Sequence, residues 1–326
     1  MKIIETISNL GEVKKGCVLT IGNFDGVHIG HQEILTAAKQ TAVQKKTELI
    51  VLTFEPHPLA VLHPQRTPGI LTPLVLKKHL LAEFGVDCLL VLKTTHKLLN
   101  LSPADFAEQF IVENIHPDVV VEGESFNFGS SRTGNVHTLR NLGSNKGFLV
   151  SMIDSKEVKL SIGRSVKVSS TIIRSLLESG KVADAAVALT RPYRLIGQVV
   201  SGRGKGKKLG FPTANLKPAE QLIPAEGVYA GFVAIGDSEE KVCAAKEKSP
   251  AAFSIGRSST YGHNNPLIVE AHLLIENVGD LLDKWLAMDF IERIRSQQKF
   301  ETEKELAEQI DRDCQQAQQI LRNVVA

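Results

Sequence analysis

An α/β half followed by an all-β half is the fold class that this sequence predicts, and two patterns predict it. Across the first half, short apolar runs alternate with amphipathic segments, which is the pattern of a parallel sheet wrapped by helices. From Tyr193 onward, strand-like runs follow one another with Gly, Pro, Asn and Asp between them, the pattern of an antiparallel barrel or sandwich. A length of 326 residues fits two domains, and 43% hydrophobic with 23% charged residues allows each to bury a core. The boundary is expected near residue 186, giving domains 1–186 and 187–326.

In the first half the expected strands are residues 18–22, 49–54, 88–92, 118–121 and 148–152. The expected helices are 31–45, 73–84, 103–112 and 133–142. The third of these has a clear start, with Ser102 as N-cap, Pro103 at the first helical position and Asp105 at N3. A further helix opens near Ser169-Ser170-Thr171 and stops at Gly180, and residues 182–189 form another amphipathic stretch. The second half offers strands at 193–201, 227–235, 243–255 and 267–275. Thr302 and Glu305 then make a capping box for a closing helix. Its stripe of Leu306, Ile310, Ala317 and Leu321 is expected to pack on the strands.

Bulk properties narrow the function classes. A formal charge of +2 gives no electrostatic case for nucleic acid. No apolar run is long enough to span a bilayer, and Glu5 interrupts any apolar signal core, so no membrane role is expected. Cys17, Cys88, Cys243 and Cys314 lie far apart without metal-ligand spacing, as in a cytoplasmic protein with reduced thiols.

The most informative segment is Gly22-Asn23-Phe24-Asp25-Gly26-Val27-His28-Ile29-Gly30-His31, set between a predicted strand and a predicted helix. That geometry aims backbone N–H groups at a phosphate. His28 and His31 add donors where charge develops on phosphorus, so the segment points to attack on the α-phosphate of a nucleoside triphosphate. A second glycine-interleaved segment, Gly202-Arg203-Gly204-Lys205-Gly206-Lys207-Lys208-Leu209-Gly210, precedes Phe211-Pro212-Thr213-Ala214-Asn215. A basic cluster alone is most often a solvated turn. Glycine at alternate positions, however, lets backbone and Lys or Arg close around phosphates.

The 22–31 block closely resembles the signature of the bacterial bifunctional riboflavin kinase/FAD synthetase family, and its His-Ile-Gly-His core is shared with the wider nucleotidyltransferase superfamily. Thr53-Phe54-Glu55-Pro56-His57-Pro58, then Phe126-Asn127-Phe128-Gly129 with Arg132 and Gly134, then Ser169-Ser170-Thr171-Ile172-Ile173-Arg174 follow in that family's order. Pro212-Thr213-Ala214-Asn215 resembles the riboflavin kinase signature. Gly227-Val228-Tyr229-Ala230 resembles that family's next strand, and Val269-Glu270-Ala271-His272 its catalytic-glutamate strand.

The resemblance implies a Rossmann-like nucleotidyltransferase domain with a parallel sheet, then a riboflavin-kinase-like antiparallel β-barrel with a C-terminal helix. It implies phosphorylation of riboflavin to FMN by ATP, then adenylyl transfer from ATP to FMN giving FAD and pyrophosphate, with Mg²⁺. By the same resemblance His28 and His31 catalyse the adenylyl step, and Gly22, Phe24, Asp25, Gly26, Ser169, Ser170, Thr171 and Arg174 hold its ATP. Phe54, Pro56, His57, Pro58, Ser125, Phe126, Phe128 and Arg132 shape the flavin and nucleotide pocket. In the kinase, Gly202, Gly204, Lys205, Gly210, Pro212, Thr213 and Asn215 bind ATP, with Thr213 and Asn215 also on Mg²⁺. Glu270 accepts the proton of the ribityl 5′-hydroxyl, and Arg295 and Phe300 match a later segment that contacts phosphate or flavin.

Some positions depart from the family pattern. Ser125 stands where Asp or Asn is usual and Ser130 where Arg is common. Ser254 and Ser259 replace Asn and Pro. Two other readings compete: an adenylyltransferase with a weak or inactive kinase, and a nonenzymatic flavin or nucleotide sensor. The first predicts FAD from FMN without ADP from riboflavin, and the second predicts binding without turnover.

Overall fold

A computed structural model describes residues 1–5, 12–161, 163–202, 210–257, 267–276 and 278–325. The chain divides into two compact units. One comprises Met1–Pro68, Lys77–Lys159 and Ser165–Ser169, and the other Gly69–Leu76, Leu160–Arg164 and Ser170–Ala326.

The first unit is built on β1 (Lys2–Ile4), β2 (Val18–Ile21), β3 (Leu49–Glu55), β4 (Cys88–Lys93), β5 (Val119–Gly123), the short pair β6 (Asn127–Phe128) and β7 (Gly134–Asn135), and β8 (Leu149–Ile153). Six of these form one sheet in the order β1-β4-β3-β2-β5-β8, and every pair in it is parallel. Both faces of the central strands are covered. Val18, Leu19, Leu49, Ile50, Val51 and Leu52 are fully buried, as the near-continuous apolar runs require.

The strand order reverses at β2, with β3, β4 and β1 on one side and β5 and β8 on the other. The crevice beyond the carboxyl ends of β2 and β5 is therefore the sheet's switch point, where ligands of such sheets bind. The two strands part early. Their pairing covers Val18↔Val119 and Leu19↔Val120, and the Ile21 N–H instead donates to the buried Glu122 carboxyl at 2.6 Å.

The helices are α1 (Ile29–Lys45), α2 (Pro58–Leu62), α3 (Leu74–Glu83), α4 (His96–Leu99), α5 (Pro103–Phe106) and α6 (Val136–Lys146). Ser102 caps α5 as expected, its Oγ accepting from the Asp105 N–H at 3.1 Å. The expected α-helix over 103–112 holds for one turn and then widens into a π-helix, Ala107–Ile115, which ends with His116 N–H on the Ile111 carbonyl. The helix expected over 133–142 starts later. Asn135 caps it, its Oδ1 accepting from the His137 and Thr138 N–H groups at 2.9 and 3.0 Å, and it runs to Lys146 before Gly147 at φ +88°.

A hairpin of β9 (Glu157–Lys159) and β10 (Ser165–Lys167) precedes α7 (Ser170–Glu178) and α8 (Val182–Leu189). Gly180 ends α7 at φ +72°, where the left-handed conformation suits glycine. The second unit then closes a barrel from β11 (Tyr193–Val200), β12 (Ala214–Pro218), β13 (Gly227–Gly236), β14 (Ser249–Arg257), β15 (Leu267–Leu273) and β16 (Trp285–Arg295). Its order is β11-β12-β15-β14-β13-β16, antiparallel throughout, with β16 returning to β11 through Tyr193↔Phe290. Closure selects the barrel over the sandwich. It also adds two strands that the sequence pattern did not predict, β12 and β16. The strand expected over 243–255 is shorter, because α9 (Glu239–Ala244), capped by Ser238, occupies its first residues.

The barrel interior is aromatic. Phe290 meets Tyr229 at 5.2 Å and Phe253 at 5.0 Å between ring centroids, both edge to face. Gly231 makes room for them: a Cβ there would lie 2.3 Å from the Phe253 ring. Outside, α10 (Glu303–Val325) lays Cys314, Ala317 and Leu321 against Ala230 and Ala252. Its Asp313 takes a bidentate pair from Arg295 at the end of β16, with a closest approach of 2.6 Å. Among the described residues, no helix is long and apolar enough to cross a membrane.

Candidate active sites

The first site grows from the turn after β2. Phe24, Gly26 and Val27 take φ values of +46°, +88° and +40°, so the chain doubles back before α1. The turn is pinned from several directions. Val27 N–H donates to the Phe24 carbonyl, Gln32 Nε2 to the Val27 carbonyl at 2.9 Å, and Thr53 Oγ1 to the Asn23 carbonyl at 3.3 Å. His28 is the N-cap of α1, and its Nδ1 accepts the His31 N–H at 3.4 Å. The His28 and His31 rings stack with centroids 3.7 Å apart and planes 15° from parallel, and Phe24 leans on His31 at 5.1 Å. Gly30 permits that stack, because a Cβ there would sit 3.3 Å from the His28 ring. One helix N-terminus thus carries two imidazoles at the switch point of the sheet.

The second expected segment joins this turn. His57 caps α2, its Nδ1 accepting the Leu59 N–H at 3.2 Å, and its Nε2 lies 3.3 Å from the Asn23 side-chain amide. Pro56 follows a cis bond, and its carbonyl accepts from Thr94 Oγ1. Phe54, Phe126 and Phe128, expected to shape a pocket, are linked through a ring the sequence reading missed. Phe106 touches Phe54 at 6.5 Å and Phe128 at 5.9 Å, and Phe128 stacks on Phe126 at 5.3 Å. Phe106 looked like an ordinary position on a capped helix, and only the fold reveals its place between two motifs. Ser125 and Arg132 are exposed, and Arg132 stands at φ +59°.

Two buried charged groups also escaped the sequence reading. Burial pushes the Glu122 carboxyl well above the usual carboxylate range, against the hydrogen bonds from Ile21 N–H and Thr20 Oγ1. Burial likewise pulls the Lys77 ammonium down, opposed by the charges of Asp25 and Glu55. Asp25 itself is buried within the glycine-rich turn.

Of the Ser169–Arg174 string, Ser169 closes the first unit, while Ser170, Thr171 and Arg174 lie on α7 of the second. Arg174 Nε donates to the Gly69 carbonyl at 2.8 Å.

The second site is assembled by register. Across the neighbouring strands β12, β15 and β14, Asn215 faces Glu270 and Glu270 faces Ser254. Directly opposed residues share one side of a sheet. On β15 the residues Val269, Ala271 and Leu273 point into the barrel, so Glu270 and His272 point out, as period-two alternation requires. His272 Nδ1–H donates to the Pro212 carbonyl at 2.8 Å, and its ring meets Phe211 edge-on. The segment Phe211-Pro212-Thr213 is thereby tied to the strand of Glu270. Gln297 closes the row on the far side, its Nε2 donating to Ser254 Oγ at 3.1 Å and to the Ile255 carbonyl at 2.9 Å.

Gly202 lies so close to the Asn215 amide that a Cβ would fall 2.0 Å from Nδ2. Gly210 is at φ +87°, while Gly204 and Lys205 lie outside the described residues. Arg295 is committed to Asp313, with the Phe300 ring 5.9 Å from its guanidinium carbon. All four cysteines are buried free thiols. Burial raises Cys17 and Cys243 to about 12 and Cys88 and Cys314 to about 11, so none is a nucleophile at neutral pH.

Two family models match the chain, FAD synthetase over residues 11–172 and riboflavin kinase over residues 189–321. The bifunctional riboflavin kinase/FMN adenylyltransferase of Escherichia coli K12 is 34% identical over 315 residues, covering 96% of each chain. Those of Pseudomonas fluorescens and Haemophilus influenzae are each 32% identical, the first covering 96% of both chains and the second 97% of this chain and 98% of its own. A crystal structure of a macrolide-efflux protein from Streptococcus pneumoniae superposes with a TM-score of 0.81 at 26% identity, covering 96% of this chain and 97% of that one.

Proposed function

This chain belongs to the bifunctional riboflavin kinase/FMN adenylyltransferase family, and we propose that its two reactions run at the two sites described above. The observation that carries this reading is the separation of the two constellations. One is a helix N-terminus with stacked histidines in a parallel sheet, and the other is a carboxylate–amide row on a barrel. A domain boundary near residue 186 is compatible with the gap between the two family matches, which end at 172 and resume at 189, although the compact second unit already takes in Ser170 onward.

In the adenylyl step a phosphate oxygen of FMN attacks the α-phosphorus of ATP, the α–β anhydride bond breaks, and pyrophosphate leaves. The step needs in-line positioning and charge neutralisation rather than an enzyme nucleophile. Because Nδ1 of His28 accepts a backbone N–H, the proton of its neutral ring sits on Nε2. We assign that Nε2–H and His31 to the phosphate oxygens, with the N-terminus of α1 adding its partial positive charge. Phe54, Phe126 and Phe128, joined through Phe106, give the isoalloxazine an aromatic wall.

In the kinase step the ribityl 5′-oxygen attacks the γ-phosphorus of ATP and ADP leaves. Glu270 takes the hydroxyl proton. Thr213 and Asn215 offer a hydroxyl and an amide oxygen, donors that suit a hard cation, and Gly202 leaves the Asn215 amide in its place, since a Cβ there would displace that side chain. Mg²⁺ held there would neutralise charge on the ATP phosphates. The buried free thiols agree with a cytoplasmic enzyme, since a reducing compartment keeps them so.

Product analysis of two variants tests the assignment. His28→Ala is expected to lose at least ~10²-fold in FAD formation from FMN and to keep FMN formation from riboflavin. Glu270→Ala is expected to show the converse, losing ~10²–10⁴-fold in the kinase step. Loss of both activities in either variant would contradict separate sites.

A further inference from the structure

One pair of strands in the parallel sheet parts while its neighbours stay joined. β2 remains paired to β3 through Ile21↔Leu52, and β5 remains paired to β8 through Gly123↔Ile153. Between β2 and β5 the ladder stops at Leu19↔Val120. Along β2 the Val18 and Gly22 N–H groups point to β3, donating to the Glu48 and Leu52 carbonyls. By alternation the Ile21 N–H points toward β5, where a continued ladder would supply a backbone carbonyl. It meets a side chain instead. Glu122 Oε1 accepts it at 2.6 Å, and the Thr20 hydroxyl donates to the same oxygen at 3.4 Å.

A backbone carbonyl can serve that N–H only at ladder spacing, about 4.8 Å between strands. A glutamate side chain reaches across a wider gap, so the sheet opens here without stranding the N–H. The arrangement is costly. Glu122 is buried, its two donors are neutral, and among the described residues no cation pairs with it. Val120, two residues back on the same face, lies in the core with Leu19 and Ile21, so an apolar residue at 122 would extend that face.

The position shows what the buried acid is for. Ile21 is the last residue of β2, and the turn from Gly22 to His31 starts from it. Gly123, next to Glu122, lies against α1, where a Cβ would come 3.1 Å from Ile34 Cδ1. The end of β5 thus touches both the strand that enters the turn and the helix that leaves it. We propose that Glu122 is the positioning residue of this turn: its side chain holds β2 apart from β5 and fixes the line along which Gly22 to His31 present their phosphate donors. This proposal rests on reading the 22–31 turn as the adenylyl site.

Three variants of the full chain test it, in steady-state FAD synthesis from FMN and ATP, assayed well below the thermal unfolding midpoint. Glu122→Met keeps the length and removes the acceptor. Its kcat is expected to fall ~10–30-fold with both KM values within ~3-fold, because misplaced donors act on the transition state. Its unfolding midpoint should stay at or above the parent's, since an apolar side chain replaces a buried carboxyl among apolar neighbours. Glu122→Gln keeps the acceptor and should restore kcat to within ~2-fold. Glu122→Asp keeps the acid but draws it back from Ile21 by one methylene, and should lose ~5–10-fold.

A brace that served stability alone would leave the methionine variant fully active below its midpoint. That result overturns the proposal, as does full activity of the aspartate variant should the methionine one not fold. A glutamine variant as slow as methionine, a loss confined to KM, or a matching fall in FMN formation from riboflavin would overturn it too. His28→Ala separates the two levels. If it leaves FAD synthesis intact, the site reading itself fails. If it abolishes FAD synthesis while the methionine variant stays fully active, the Glu122 proposal alone fails.

Discussion

The two sites are made by opposite strategies. The proposed adenylyl site is local: ten consecutive residues leave β2, turn through positive φ at Phe24, Gly26 and Val27, and enter α1 with both histidines stacked. The proposed kinase site is assembled from distant residues, with Asn215, Ser254 and Glu270 meeting on three strands of a closed barrel. A local site depends on the conformation of one turn. An assembled site depends on register, and a one-residue slip would turn Glu270 from the outer face to the interior. The second site should therefore be the more sensitive to changes far from its reacting groups.

The largest expected effect follows from barrel closure. Asp313→Ala leaves the Arg295 guanidinium half-buried without its bidentate partner and frees α10 from β16. A loss of about 3–5 kcal/mol is expected in denaturant unfolding, with kinase activity failing at lower denaturant than adenylyl transfer. Coincident loss of the two activities would erase the distinction between the sites.

Matched glycine substitutions sharpen the comparison further. Gly202→Ala forces a Cβ to within 2.0 Å of the Asn215 amide, and overpacking of that kind is expected to cost the kinase ~10–100-fold while sparing FAD formation from FMN. Gly30→Ala brings a Cβ to 3.3 Å from the His28 ring, a contact relieved by a small shift, so FAD formation should fall only ~2–5-fold. Comparable losses from the two substitutions would count against a strict difference in tolerance.

The smallest effect concerns stability rather than rate. The Glu122 carboxyl is raised by burial, so the folded state retains a proton that the unfolded state has lost. Its contribution is fully present below the ordinary carboxylate value of about 4.3 and declines as pH rises toward its folded pKa. Glu122→Gln keeps an acceptor for Ile21 N–H and removes that slope. Unfolding free energies from pH 5 to 8 should show the variant gaining on the parent as pH rises, and a constant difference would refute the assignment.

The same contrast explains what could be read from the sequence. Five of the six parallel strands were legible as apolar runs and the 22–31 turn as a contiguous motif, while the short edge strand β1 offered only Lys2-Ile3-Ile4 and was missed. The missed barrel strands carry their signal poorly. β12 offers only Ala214 and Leu216 as inward residues. On β16 the buried Asp289 breaks the apolar pattern, and its charge is tolerated because Arg194 pairs with it at 2.7 Å and Lys248 at 2.7 Å. Asn135 displaced a helix start because capping by a side chain outranked the apolar spacing. Glu122 and Lys77 were invisible for another reason: nothing in a linear pattern marks a charged residue as buried.

Separate operation of the two sites is tested most directly by mixing. His28→Ala and Glu270→Ala, each unable to make FAD from riboflavin, are incubated together with riboflavin, ATP and Mg²⁺, and flavins are resolved by chromatography. Two independent sites predict that FMN made by the first protein is adenylated by the second, so FAD accumulates in the mixture. FMN accumulating without FAD, while Glu270→Ala alone still converts added FMN, would contradict the account.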